Sequence, residues 1–126
     1  MRPEKIEIDE KYAGHSGLII KNKWLDLIFK QEKEWELRSK PTKKRGTLLL
    51  IESGSGQISG QADIMDCRLI QRDELKEHFT KHRCEDDDID GLGYKEIYAW
   101  SLTNVKKWDA PIAYHHRKGC ITWVRL

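Results

Sequence analysis

From position 34 to position 38 the chain alternates strictly: Glu34, Glu36 and Arg38 fall on one face of a strand, Trp35 and Leu37 on the other. The pattern commits this segment to a sheet, with Trp35 and Leu37 entering a core. It also sets Glu36 beside Arg38, with Lys33 at the strand entrance. A carboxylate between two cations accepts hydrogen bonds, and a guanidinium offers a rigid fork of N–H donors. Such a trio can hold a polar ring, a phosphate or an amide. The same charges can equally lie on a solvated strand face.

The rest of the chain supplies partners for that strand. Residues 1–14 are polar and read as a loosely held arm, with a single domain over 15–126. Residues 17–20 read as a short strand. Asn22 is placed to cap a helix that carries Trp24, Leu25, Leu27, Ile28 and Phe29 to about residue 30. After the motif strand, residues 47–51 form a continuous apolar run suited to a buried strand. Ser53, Gly54, Ser55 and Gly56 predict a hairpin turn. A return strand follows over 57–67, with Gly60 as a candidate bulge. Residues 72–79 predict a short helix, because Leu75 and Phe79 share a face. The acidic run 85–90, followed by Gly91 and Gly93, reads as a loop. Residues 96–102 predict a strand, 104–108 a turn or short helix, 111–119 a loop and 120–126 a last strand. Five or six strands in mixed order with two or more short helices predict an α+β domain. Closure into a small β-barrel would protect the strand edges.

Charged residues make up 35% of the chain, yet the net charge is only +2, so charge alone does not argue for nucleic acid. Its distribution says more. A basic segment at 38–45 includes Lys40, Lys43, Lys44 and Arg45, a second lies at 115–118, and the acidic run opposes them. The basic residues after the motif strand are candidate phosphate contacts. Three cysteines at irregular spacing, with no apolar stretch long enough to span a bilayer, predict free thiols, no membrane insertion and a reducing, cytoplasmic setting.

The motif 31–38 resembles the opening block of the ASCH domain, a PUA-like family with the pattern G-x-K-x-x-E-x-R. Lys33, Glu36 and Arg38 match, and Gln31 replaces the glycine, a departure expected to alter the turn before the strand. Tyr98 to Leu102, Pro111, Gly119 and Trp123 are similar to the closing block. The resemblance implies a small barrel with a cleft that takes RNA or a modified nucleoside, held by Lys33, Glu36 and Arg38. It also implies an alternative, a small amidohydrolase acting on N4-acetylcytidine, or a ribonuclease, with Lys33 as nucleophile or base. That amidohydrolase branch uses a lysine, a threonine and a glutamate. Lys33 matches the lysine, Glu36 stands where the threonine would be, and Glu85 lies near the glutamate.

Ser53 is a candidate hydrogen-bond partner in the cleft. Trp100 and Trp108 are candidate walls, since an aromatic face stacks on a base. His78, His82 and Cys84, with His115, His116 and Cys120, form a conceivable zinc set. Neither C-x-x-C nor H-E-x-x-H accompanies them, so no metal and no cofactor is expected. The protein partner is left open, a bipolar surface being compatible with one.

Overall fold

A computed structural model describes residues 14–126. The arm expected over 1–14 therefore lies, apart from Gly14, outside the described residues. Six strands form one mixed sheet: β1 (Ser16–Ile20), β2 (Trp35–Arg38), β3 (Gly46–Glu52), β4 (Gln57–Ile70), β5 (Ile97–Ala113) and β6 (Trp123–Arg125). Their order is β2-β5-β4-β3-β1-β6. Only β1 and β3 run parallel. The sheet curls into a half-barrel, the α+β architecture the sequence predicts. β2 and β6 remain as its two edges.

Curling has a local cause. The long β4–β5 ribbon changes register at Ile58/Gly60, Gln61/Asp63 and Ile64/Asp66, and each irregularity bends and twists its strand. Helix α1 (Asn22–Phe29) fills the concave side. Its Leu25 and Ile28 pack on Leu18, Ile20, Leu48, Leu50, Ile64 and Trp100, each fully buried aliphatic contributing about 1.5–3 kcal/mol. A second core lies beyond β2. There Trp35 and Leu37 meet Ile70, Leu75, Ile89 and Ile97, beneath a 3-10 helix (Arg72–His78), α2 (Phe79–His82) and α3 (Asp86–Leu92). β2 is thus covered on both faces.

Several segments differ from the sequence expectation. The acidic run is α3, not a loop. Glu85 and Asp88 form a reciprocal capping box, and Asp86, Asp87 and Asp88 crowd the first turn, where the helix dipole favours negative charge. Residues 104–108 are strand, because β5 continues to Ala113 through Asn104, whose φ of 50° breaks the two-residue period. Pro111 also lies in β5. It falls in the register break between Lys107 and Ile112, where β5 is not paired with β4, so the missing N–H costs no ladder bond. The return strand runs on to Ile70, and the last strand shrinks to Trp123–Arg125. Asn22 does not cap α1. Lys21 holds that position without a side-chain bond, while Asn22 Nδ2 donates to Glu52. Gln31, where the ASCH pattern has glycine, has φ 60°, the left-handed conformation glycine adopts freely.

Candidate functional site

Curling brings the β2 edge against β1, the strand next to the β6 edge, and the cleft lies there. Arg38 clasps the gap. Its Nη2 donates to the Ile19 carbonyl oxygen of β1 at 2.8 Å and to Glu36 Oε2 at 2.8 Å, and Nε reaches the same oxygen at 3.3 Å. Alternation places Glu36 on the face of β2 opposite Trp35 and Leu37, inside the mouth of the half-barrel. It is 4% exposed. The solvated-face reading therefore fails for Glu36, and it fails for Lys33, which is 2% exposed.

Lys33 enters from the strap between α1 and β2. Its Nζ donates to the His82 carbonyl oxygen at 2.5 Å, with Cys84 Sγ at 3.8 Å, Glu36 Oε1 at 3.9 Å and the Trp24 ring centroid at 4.8 Å. Burial lowers its pKa from the usual 10.5. Glu36 and Cys84 oppose that shift, and Arg38 reinforces it. Burial likewise raises the Cys84 thiol, against the pull of Lys33.

Around this trio is a cavity of about 280 Å³, walled by Trp24, Tyr94, Leu37, Cys84, Ser53 and the exposed Ile121. Its size is near the lower end for small-molecule sites, about 300 Å³. Among the described residues, Glu36 Oε1 and Arg38 Nη1 have no hydrogen-bond partner. The site therefore presents a carboxylate oxygen, 3.9 Å from the Lys33 ammonium, and a donor on the guanidinium edge away from it, in a largely desolvated setting with two aromatic rings on its walls.

The structure brings Lys33, Glu36, Arg38 and Ser53 together. The other candidates do not line this cavity. Trp100 is core, 2% exposed, stacked on Trp123 with centroids 5.5 Å apart, and its Nε1 donates to the Lys40 carbonyl oxygen. It pairs with Glu36 across β2 and β5, and its ring centroid lies 5.6 Å from the Arg38 guanidinium carbon, so it supports the trio from behind. Trp108 donates to Gln61 Oε1 on the far ribbon. Glu85 is exposed at the start of α3 and does not line this cavity. Lys40, Lys43, Lys44 and Arg45 are exposed beyond β2 and do not line it either. Lys44 Nζ donates to Ser16 Oγ and stands 5.1 Å from the Trp123 ring centroid. Trp24, Tyr94 and Cys84 form walls where sequence reasoning favoured Trp100 and Trp108. Lone aromatics in a helix and a loop carry no period that marks a wall. His82 and Cys84 face each other, but among the described residues no three His, Cys, Asp or Glu side chains gather in a metal-binding cluster. Among those residues, too, no helix is long and apolar enough to cross a membrane.

The family model for the ASCH domain matches residues 18–112. The crystal structure of ASCH from Zymomonas mobilis is similar to this fold with a TM-score of 0.67 at 10% identity, covering 79% of this chain and 73% of that one. A mutant of the same Zymomonas mobilis protein gives a TM-score of 0.73 at 10% identity, covering 90% and 88%. No curated protein matches the chain.

Proposed function

The chain belongs to the ASCH domain family, and on that premise we propose that its cleft binds one nucleoside, free or as an unpaired base of RNA. One observation carries the reading. A buried carboxylate spends one oxygen on Arg38 and keeps the other, ion-paired with Lys33 at 3.9 Å but without a hydrogen-bond donor among the described residues, at a cavity that Arg38 also lines. An acceptor and cationic donors lining one cavity suit the edge of a nucleobase, which carries an N–H and a carbonyl or ring nitrogen. Trp24 and Tyr94 supply π faces, and stacking is worth about 1–3 kcal/mol per base. Lys33 adds the positive charge that orients Glu36. In an RNA ligand, Lys40, Lys43, Lys44 and Arg45 would meet phosphates of the flanking chain.

Thermal melting with single nucleosides and short RNAs tests this. A ligand at about 100 times its dissociation constant adds about 2.7 kcal/mol of stability. The expected result is such a gain for the wild type, and its loss in Trp24→Ala and in Arg38→Lys, which keeps the charge and removes the fork. A gain of the same size in all three proteins would place the ligand elsewhere, and no gain with any of them would sink the proposal.

A second reading, amide hydrolysis of an N-acylated cytidine, draws on the burial that lowers the pKa of Lys33. A lysine so shifted is a better nucleophile or base. Glu36 in the threonine position and Glu85 away from the cleft speak against it. Lys33→Arg keeps a cation but has no amine to deprotonate. The expected pattern is that Lys33→Arg retains part of the nucleoside affinity and Lys33→Ala loses more. Hydrolysis of N4-acetylcytidine by the wild type, absent from both variants, would instead establish the enzyme.

A further inference from the structure

The turn that receives Lys33 is built by a histidine. His82, 1% exposed, ends α2, and Arg83 after it takes a left-handed φ of 60°. The imidazole spans this turn. Nδ1 accepts the Cys84 N–H at 2.9 Å, and Nε2 stands 2.7 Å from the Leu75 carbonyl oxygen. A nitrogen that accepts carries no proton, so the ring proton sits on Nε2 and is donated to Leu75. The backbone carbonyl of His82 itself accepts from Lys33 Nζ, and Cys84 brings its thiol to the other side. Two further bonds tie the turn to the strap that carries Lys33. The Glu34 N–H donates to the Lys81 carbonyl oxygen at 2.8 Å, and Arg83 Nε donates to that of Glu32 at 2.9 Å.

We infer that His82 is a positioning residue for the cleft: a neutral, Nε2-protonated ring bridging Leu75 and Cys84 fixes the carbonyl and the thiol between which Lys33 is held. The inference deepens the role proposed for Lys33, while its test needs no nucleoside and so can fail separately from that reading. A second ring proton, on Nδ1, would set two N–H groups against each other at Cys84. It would also place a cation beside Lys33 and His78, with Lys76, Glu85 and Asp86 on the outer side of the same pocket. Burial holds the imidazole below its usual 6.5; the hydrogen bond to the Leu75 carbonyl opposes that shift, and Lys33 and His78 reinforce it.

The experiment is acylation by acetic anhydride, with modification at Lys33 followed by peptide mass spectrometry in wild type, His82→Asn and His82→Gln. Asparagine sets an acceptor oxygen near the place of Nδ1 and preserves the Cys84 bond. Glutamine reaches instead toward Leu75. The expected result is a Lys33 rate in His82→Asn within about threefold of wild type, and in His82→Gln about tenfold faster or more, as the turn opens locally. Rates within about threefold of wild type in both variants would reduce His82 to a space-filling role and overturn the inference, whereas equally accelerated rates would assign the hold to both ends of the bridge and support it. Hydrogen exchange on the wild type is a second arm that requires no variant to fold. Protection of the Cys84 amide, normalised to its intrinsic rate, should fall about tenfold once pH drops well below the imidazole range, while the β3–β4 ladder stays protected. Protection that persists at Cys84 until the ladder itself opens would overturn it as well.

Discussion

Gly60→Ala is expected to cost about 3 kcal/mol or more, and to lower the melting temperature by about 10 °C. A Cβ built at Gly60 would lie 2.2 Å from the Lys106 carbonyl oxygen and 2.8 Å from Cε1 of Phe29. The carbonyl belongs to the paired strand and cannot rotate away as a side-chain tip would. Gly60 also stands at a register shift, with Ile58 paired to Ile112 and Gly60 to Lys107. A forced separation there loosens the bend that lets the sheet curl. It also pushes Phe29, the last residue of α1, and α1 carries Trp24 to the cleft. Denaturant unfolding of wild type and variant measures the difference. A loss under about 1 kcal/mol would show that the ribbon relaxes around the methyl group.

That bulge was legible because a glycine inside an alternating run has few other uses in a strand. The first four elements were legible for similar reasons. Residues 17–20, 22–30 and 47–51 carry unbroken apolar runs or helical spacing, and their own neighbours satisfy them. The site was legible as residues but not as an environment. Alternation placed Glu36 and Arg38 on one face, yet it could not say that a second layer covers Trp35 and Leu37 and leaves the charged face inside a closing barrel. That depends on β1 and α1, which meet β2 only in three dimensions. The same limit hid Cys84, which follows Lys33 by 51 residues and touches it. The acidic run misled for a local reason. Like charges were read as solvated loop, whereas Glu85 and Asp88 satisfy the open N–H groups of a helix start. β5 misled because Asn104 interrupts its period without ending the strand.

Glu36→Ala is expected to cost about 3–5 kcal/mol, because it strands two cations in a desolvated place. Arg38 would keep the Ile19 carbonyl and Lys33 the His82 carbonyl, but neither would face a negative charge. Glu36→Gln isolates the charge from the shape. Its amide still offers Arg38 an acceptor, so a smaller loss is expected at neutral pH. The charge of Glu36 raises the Lys33 pKa against burial, so removing it lowers that pKa further from the unfolded value near 10.5. Between the folded and unfolded values the unfolded chain holds the extra proton, and stability rises with pH. The deficit of Glu36→Gln relative to wild type should therefore shrink as pH is raised from neutral toward the alkaline range, as Lys33 sheds its proton in the fold. Unfolding free energies at a series of pH values would show this slope. A flat deficit would mean that Lys33 and Glu36 are not coupled. The pair would then be two independent side chains sharing a wall, and the acceptor offered to a nucleobase would not depend on the lysine behind it.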